Sequence, residues 1–273
     1  MIKLIALDLD GTLLTPEGQI TQKTKDAIAH ARAQGVKVVL ATGRSGQEAA
    51  AFAKEAGCDT MAAAVGGAIL LDIENMYHIR RWDMPRESGR KALELCLNKE
   101  IELMIFAEDK ILLDPFSKQS QLTTFPCEVF HREAIVTEDP LAYLEEHDME
   151  LTKIHADHNP AAYPLKECAA LPGLELTSSS ARDFEVMPAG AGKGRALALM
   201  GVLYSLALDE FAAVGDSEND LSMLRAVGYP VAMGNANQTV KDAAKFVTAT
   251  NAEDGVAKAI YHILQRNEQE KAK

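Results

Sequence analysis

Cysteine is scarce in this chain. Cys58, Cys96, Cys127 and Cys168 lie far apart, and no Cys-x-x-Cys occurs among them. That argues against a disulfide framework and a structural zinc site, and it points to a reducing compartment. Long apolar runs are missing too: no uninterrupted stretch approaches the roughly 18 residues that suggest a membrane span. The opening run Ile2-Lys3-Leu4-Ile5-Ala6-Leu7 is cut short by Asp8 and Asp10. It has neither the basic region nor the small-residue cleavage site of a signal peptide, so the expected location is cytoplasmic. Positive charge is in deficit, with 28 Lys+Arg against 40 Asp+Glu and a formal net charge of -12. Such a surface repels polyanions, which argues against nucleic acid or an anionic membrane as partner. A small phosphorylated molecule is still permitted, because a metal ion and a few donors can reverse the field inside a pocket.

What is present reads as an α/β protein. The 273 residues, 47% hydrophobic and 25% charged, suffice for one large core or two domains. The first 70 residues alternate apolar strand-like runs with helices. After the opening strand, Thr21 is placed to cap a helix that ends at Gly35. Val36 to Leu40 is β-rich, Gln47 to Glu55 is helical and stops at Gly57, and Met61 to Val65 is a further short strand. The same grammar returns late in the chain. There the sequence predicts a helix over Gly194 to Leu203 and a strand over Glu210 to Val214. A helix over Asp220 to Val227, a strand over Pro230 to Met233 and an amphipathic helix over Gly255 to Leu264 follow, with a frayed tail. Apolar strands separated by helices indicate a parallel sheet covered on both faces. Between about 83 and 184 the texture changes. A helix over Glu87 to Asn98 leads to a hairpin of Ile101 to Phe106 and Lys110 to Leu113 across Ala107-Glu108-Asp109. A helix over Pro140 to His147 and a strand over Glu150 to His155 follow. This stretch carries -10 of the net charge. It is expected to form a separate α+β unit inserted into the sheet domain.

The chemistry-bearing residues cluster where strands end. Asp8-Leu9-Asp10-Gly11-Thr12 follows the first strand, and two carboxylates at i and i+2 there suit convergence on one cation. Gly11 permits a sharp turn and Thr12 offers a hydroxyl. A bare acid pair at a strand end is about as often a turn, so the apolar strand before it matters. Gly215-Asp216-Ser217-Glu218-Asn219-Asp220 follows another strand and crowds three acids into one loop. Such a loop can be a capped helix start, but it also suits a hard divalent cation. Ala41-Thr42-Gly43-Arg44 offers hydroxyl and N–H donors ahead of a helix N-terminus, a weak phosphate-site signal on its own. Gly190-Ala191-Gly192-Lys193-Gly194 is not a Walker loop, because Lys193 is followed by glycine where that motif has Ser or Thr. It leaves a lysine at a helix start, suited to meet phosphoryl oxygens.

Together these four ordered motifs resemble those of the haloacid dehalogenase-like phosphatases. Phe184-Glu-Val-Met-Pro-Ala-Gly, Val231-Ala-Met-Gly-Asn-Ala and Asn251-Ala-Glu-Asp-Gly-Val resemble the Cof-type branch, and the likeness spans essentially the whole chain. The resemblance implies a Rossmann-like parallel-sheet core at 1–82 and 185–273, with an inserted α+β cap at 83–184. It implies Mg²⁺-dependent hydrolysis of small phosphate monoesters, with Asp8 as nucleophile and Asp10 as acid and base. The metal would be held by the Asp8 carboxylate, the Asp10 carbonyl and Asp216. The phosphate would meet Leu9, Thr42, Gly43, Lys193 and Asn219, with Thr12, Arg44 and Asp220 in support. Asp at position 10 fits a phosphatase and not a dehalogenase. The usual Asn-Gly after the third strand is here Val65-Gly66-Gly67, so a side-chain amide near the pocket is missing. That departure is expected to alter substrate contacts and leave the reaction alone.

For specificity, Arg44, Arg182 and Glu185 are the cap-side candidates. His155 and His158 read as surface residues of a strand and loop, not as a metal pair. Trp82 has a packing role at the hinge. Partners are a small phosphorylated metabolite and no nucleic acid or membrane, in a monomer or homodimer. The competing readings are a sugar phosphomutase, which would not release phosphate, and a catalytically silent binding protein. The second need not retain Asp8, Asp10, Lys193 and Asp216 together.

Overall fold

The computed structural model describes residues 1–97, 99–108, 110–124, 127–180 and 182–272. Asn98 and Asp109, at the expected end of a helix and in the expected hairpin turn, lie outside these residues. Fourteen strands are described. They are β1 (Leu4–Leu7), β2 (Lys37–Ala41), β3 (Met61–Ala64), β4 (Ile69–Asp72), β5 (Tyr77–Arg81), β6 (Glu102–Ala107) and β7 (Lys110–Leu113). Then come β8 (Ala134–Val136), β9 (Leu151–Asp157), β10 (Leu174–Thr177), β11 (Phe184–Pro188), β12 (Phe211–Gly215), β13 (Tyr229–Ala232) and β14 (Phe246–Val247).

They form two sheets. The first has the order β14-β13-β12-β1-β2-β3-β4-β5. It is parallel from β14 to β3, and β4 and β5 extend it antiparallel. Its central strands are apolar on both faces because helices cover both. On one face lie helices Gln22–Ala33, Gly46–Ala56 and Gly255–Lys271, with Ile28, Ala53 and Ile260 fully or almost fully buried. On the other lie Lys193–Tyr204 and Leu221–Ala226, with Leu197, Met200 and Met223 buried. The helix ends follow their expected caps. The Thr21 hydroxyl accepts from Thr24 N–H, Ser45 and Glu48 form a reciprocal capping box, and Gly57 takes the left-handed stop.

The second sheet, order β10-β11-β9-β6-β7-β8, is antiparallel except for the β7–β8 pair. It has its own apolar layer, including Leu93, Leu103, Ile105, Ile154 and Val186, against helices such as Arg86–Cys96. Its other face joins the apolar cluster of the first sheet through Met104, Phe106 and Met187, beside Phe130 of the helix Glu128–Glu133. β11 runs from Phe184 to Pro188 and is hydrogen-bonded to β9 and β10, so a boundary at 184/185 would cut through a strand of this sheet.

The tail is helical, not frayed. The last helix continues to Lys271, where Glu270 meets both Arg266 and the N-terminal ammonium. Gln, Glu, Lys and Arg are good helix formers, and the i,i+4 ion pair adds to that preference. Trp82 packs against the second face of the first sheet, with the Arg80 and Arg195 guanidinium groups 5.8 and 5.0 Å from its ring centroid.

Candidate active site

The first sheet brings the sequence motifs together by register. In the parallel ladder Leu7 lies opposite both Val214 and Leu40. Asp8, the segment after Gly215 and the segment after Ala41 therefore emerge at the same carboxyl edge, on three adjacent strands. A ligand crevice is expected there in an open α/β sheet, where the chain order switches direction.

Three carboxylates meet at this edge. Asp8, Asp216 and Asp220 each offer an oxygen within 4.8 Å of the others, and this group can hold a divalent cation. Lys193 stands among them, fully buried, donating to Asp8 Oδ1 and to Asp220 Oδ1 at 2.6 Å each. Asp220 has little left to give: its Oδ2 accepts from the N–H groups of Asp216 (2.9 Å) and Ser217 (3.1 Å). It shapes the loop and holds the lysine. Asp216 accepts from the Thr12 hydroxyl at 2.8 Å and the Ser217 hydroxyl at 3.1 Å. Gly11 makes the approach possible. Its φ is +79°, and a Cβ there would stand 2.5 Å from Asp216 Oδ2.

The charges do not balance within the cluster. Burial and the Asp220 carboxylate drive the Asp8 carboxyl well above the ordinary range, although Lys193 opposes them. Burial and Asp220 also push Asp216 up to about 6, against hydrogen bonds from Thr12 and Ser217. Burial works to lower the Lys193 ammonium, but Asp220 and Asp8 overcome it and hold it well above the usual lysine range. One buried cation facing three carboxylates is short of positive charge, and a further hard cation among the oxygens relieves the repulsion.

Asp10 stands apart from this cluster. Its side chain is about half exposed, and both oxygens are taken by Arg44, at 2.9 Å to Nε and 2.7 Å to the terminal nitrogen. Arg44 is in turn held by Glu48 at 3.0 Å. Burial opposes its charge, yet Asp10 and Glu48 keep the guanidinium firmly ionised.

Asp8 and Asp10 open onto a cavity of about 230 Å³ between the two sheets. Gly43, Arg44, Ser217 and Asn219 line it from the first sheet; Phe106, Lys153, His155 and Glu185 line it from the second. Leu9, Thr42 and Lys193 are buried and are not among the lining residues. Val65 N–H donates to the Arg44 carbonyl and Gly66 N–H to the Thr42 carbonyl. A Cβ on Gly67 would fall 2.3 Å from the Gly192 carbonyl carbon. Thus Val65-Gly66-Gly67 braces the two loops that carry Thr42 and Lys193. Val65 is buried, with φ at +52°.

Of the cap-side candidates, Arg44 and Glu185 line the cavity, while Arg182 is exposed and does not. The surface reading of His155 is wrong: it is buried, and it faces the cavity from β9. His158 is exposed, with its ring 3.5 Å from Glu102. Lys153 carries no signal in the sequence. It is buried beside Glu185 and donates to the Gly43 carbonyl at 3.0 Å. Strand periodicity could have placed Lys153 and His155 on one face, but it could not say which face meets the other sheet.

Fold and site together are those of a doubly wound α/β protein with a carboxylate cluster at the strand ends and a second sheet over it. A family model for haloacid dehalogenase-like hydrolases matches residues 5–260, and the chain belongs to that family. It is 30% identical to the phosphatase YwpJ of Bacillus subtilis, over 96% of this chain and the whole of that one. It is 31% identical to the 5-amino-6-(5-phospho-D-ribitylamino)uracil phosphatase YwtE of the same organism, over 96% of this chain and 98% of that one. The solved structure of a haloacid dehalogenase-like hydrolase from B. subtilis superposes with a TM-score of 0.85 at 28% identity, covering 96% of this chain and 99% of that one. The chain is an enzyme, a phosphatase of the aspartate-dependent kind. No helix among the described residues is long and apolar enough to cross a membrane.

Proposed function

We propose that this chain hydrolyses small phosphate monoesters with Mg²⁺, that Asp8 is the nucleophile, and that residues 83–188 act as a cap setting specificity. The observation that supports this most is the buried Asp8–Lys193–Asp220–Asp216 cluster, with Asp8 opening onto the cavity. Asp8 and Asp216 would hold the metal, joined by the Asp10 backbone carbonyl. When bound, Mg²⁺ neutralises charge on the phosphoryl oxygens and on the two carboxylates.

The residues divide the work. Lys193 fixes the rotamer of Asp8 and favours its ionised form against burial and Asp220, and a bound cation would complete that ionisation. An Asp8 carboxylate oxygen forms a bond to phosphorus as the bond to the leaving alcohol breaks. Asp10, turned from Arg44 toward the leaving oxygen, gives that oxygen its proton. Asp10 then takes a proton from a water molecule, which attacks phosphorus and releases inorganic phosphate with the Asp8 carboxylate restored. Splitting the displacement in two lowers each barrier, and a correctly placed acid–base group is worth roughly 10²–10⁴-fold. The Gly43 N–H, the Thr42 hydroxyl and Asn219 are assigned to the phosphoryl oxygens, with Leu9 supporting from the backbone.

The name of YwtE describes a substrate with a hydroxylated chain and a flat ring, and a phosphorylated metabolite of that chemical kind is a candidate to test here. The net negative charge argues against nucleic acid and anionic membranes as partners, and a cytoplasmic monomer or homodimer is part of the same proposal. The deciding experiment is phosphate release from sugar, nucleotide, pyridoxal and flavin monophosphates with and without Mg²⁺, beside Asp8→Asn. Mg²⁺-dependent release that Asp8→Asn lacks is the expected result. Isomerisation of a hexose phosphate without release would instead establish a mutase, and no reaction with any compound would overturn the assignment.

A further inference from the structure

The underside of the second sheet carries an arrangement that phosphoryl transfer does not use. On β9, Lys153 and His155 are two residues apart and share a face. The register sets Phe106 opposite Lys153, Met104 opposite His155 and Glu185 opposite His155. These five side chains line the cavity, and Phe130 joins them. The wall is therefore divided into an apolar half, Met104, Phe106 and Phe130, and a polar half, Lys153, His155 and Glu185.

The polar half is incompletely paired. Lys153 donates to Glu185 Oε1 at 2.6 Å and to the Gly43 carbonyl at 3.0 Å, and it stands 5.0 Å from the Phe106 ring centroid. Its protons are committed. Glu185 is 2% exposed, yet its Oε2 has no hydrogen-bond partner. His155 Nδ1 has none either, standing 3.5 Å from Glu185 Oε1. Burial opposes ionisation of Glu185, but Lys153 and His155 outweigh it and hold the carboxyl well below the usual range. A buried, ionised oxygen without a donor is costly to maintain, and such groups in native proteins call for a cause.

We infer that Glu185 is a specificity-determining residue, whose Oε2 receives a hydroxyl or ring N–H of the leaving group while Met104, Phe106 and Phe130 cover that group's apolar face. The substrate class is then a compact monophosphate with a flat or apolar flank and a hydrogen-bond donor at its far end. Lys153 positions Glu185 and, through Gly43, ties it to the phosphate loop. The inference rests on the phosphatase reading for the identity of the leaving group.

The test uses a matched pair of probes, benzyl phosphate and 3-hydroxybenzyl phosphate. The wild-type protein should favour the hydroxylated probe by about tenfold or more in kcat/KM, the range of a hydrogen bond to a buried charge. In Lys153→Met/Glu185→Leu, which removes both charges together, the ratio should fall to near unity. A thermal melt reports whether that variant is folded. If it is not, Glu185→Gln serves instead and should cut the ratio severalfold by removing the charge from the acceptor. The same ratio is read as Kd in Asp8→Asn, so the subsite is judged even without turnover. Equal handling of the two probes by the wild type, or a preference that survives in the variants, would overturn the inference. Failure to hydrolyse any monoester would count against the phosphatase reading alone, because the Kd ratio still decides the subsite.

Discussion

Two buried charge clusters face each other across one cavity, and they are unbalanced in opposite ways. Beneath the first sheet's edge, three carboxylates share one lysine, and two of them are pushed toward protonation. On the second sheet, one carboxylate is flanked by a lysine and a histidine and is driven toward ionisation. The first lacks a positive charge, the second a hydrogen-bond donor. A divalent ion answers the first need and the leaving group of a substrate answers the second. The same element, a buried Lys–carboxylate pair at 2.6 Å, thus serves chemistry on one side and selection on the other, depending on what surrounds it.

Asp8→Asn breaks this comparison most strongly. Turnover should fall by about 10⁴-fold or more, the scale seen when a nucleophile is removed. The metal-free protein should nevertheless become more stable at neutral pH, because a carboxylate held above its unfolded pKa is a liability once ionised. Lys193 retains Asp220. Paired assays of phosphate release and urea unfolding would show this; a variant both inactive and markedly less stable would contradict the account of Asp8 as an overcrowded group.

The second-sheet pair should behave in the opposite way. Glu185→Leu leaves Lys153 buried with only a carbonyl partner and should cost about 3–5 kcal/mol, whereas Lys153→Met/Glu185→Leu should come within about 1–2 kcal/mol of wild type. Denaturant midpoints of the two variants measure the difference. If the double variant is as damaged as the single one, the pair contributes packing or cap closure that charge pairing does not describe.

A finer contrast lies in pH. Asp216 has its folded pKa raised to about 6, above its unfolded value. The native state then holds the proton more tightly than the unfolded state between about pH 4 and 6. The contribution of Asp216 to stability is therefore present at low pH and lost as pH rises through 6. Relative to Asp216→Asn, the chelated wild type should lose about 1–2 kcal/mol from pH 4 to pH 7, after allowance for partial exposure. Mg²⁺ should remove much of that loss at pH 7. A stability difference that is flat with pH would show that Asp216 is not crowded.

The first cluster was legible in the sequence and the second was not, and the reason is topological. In a parallel sheet buried on both faces, each strand is an apolar run and each active loop begins where the run stops. Asp8, Thr42 and Asp216 announce themselves that way, and adjacency of β1, β2 and β12 does the rest. Lys153 and His155 sit at alternate positions of a strand, which is the mark of a solvated face in a sheet with one wet side. Only the docking of that face over β1 and β2 buries them, and nothing local encodes it. Glu185 stands out in the sequence only as a cap residue next to the core, and its pairing with β9 supplies the chemistry. The edge strands β4 and β5 escaped for a similar reason: they are short, antiparallel and half-exposed on β5. Composition does not distinguish the helical tail from a frayed one, because Gln, Glu and Lys suit both a frayed end and an exposed helix.

Val65 sharpens the comparison at its smallest scale. It brings a β-branched side chain to φ +52°, a left-handed conformation that L residues other than Asn, Asp and Gly seldom adopt. Its N–H is spent on the Arg44 carbonyl, and the next on the Thr42 carbonyl, so the turn cannot relax without releasing the phosphate loop. Replacing Val65 by Asn gives up about 1–2 kcal/mol of apolar burial, and the left-handed position returns about 1 kcal/mol of that. Val65→Asn should therefore be less damaging, by about 1 kcal/mol, than the same change at a buried site with extended backbone. Val38→Asn, made as a control at an equally buried strand position with extended backbone, has nothing to offset the loss and should cost about 1 kcal/mol more than Val65→Asn. Unfolding midpoints of the two variants decide it. Equal damage at both sites would mean that the turn is unstrained, and that valine at position 65 is retained for its packing beneath the Thr42 and Lys193 loops alone.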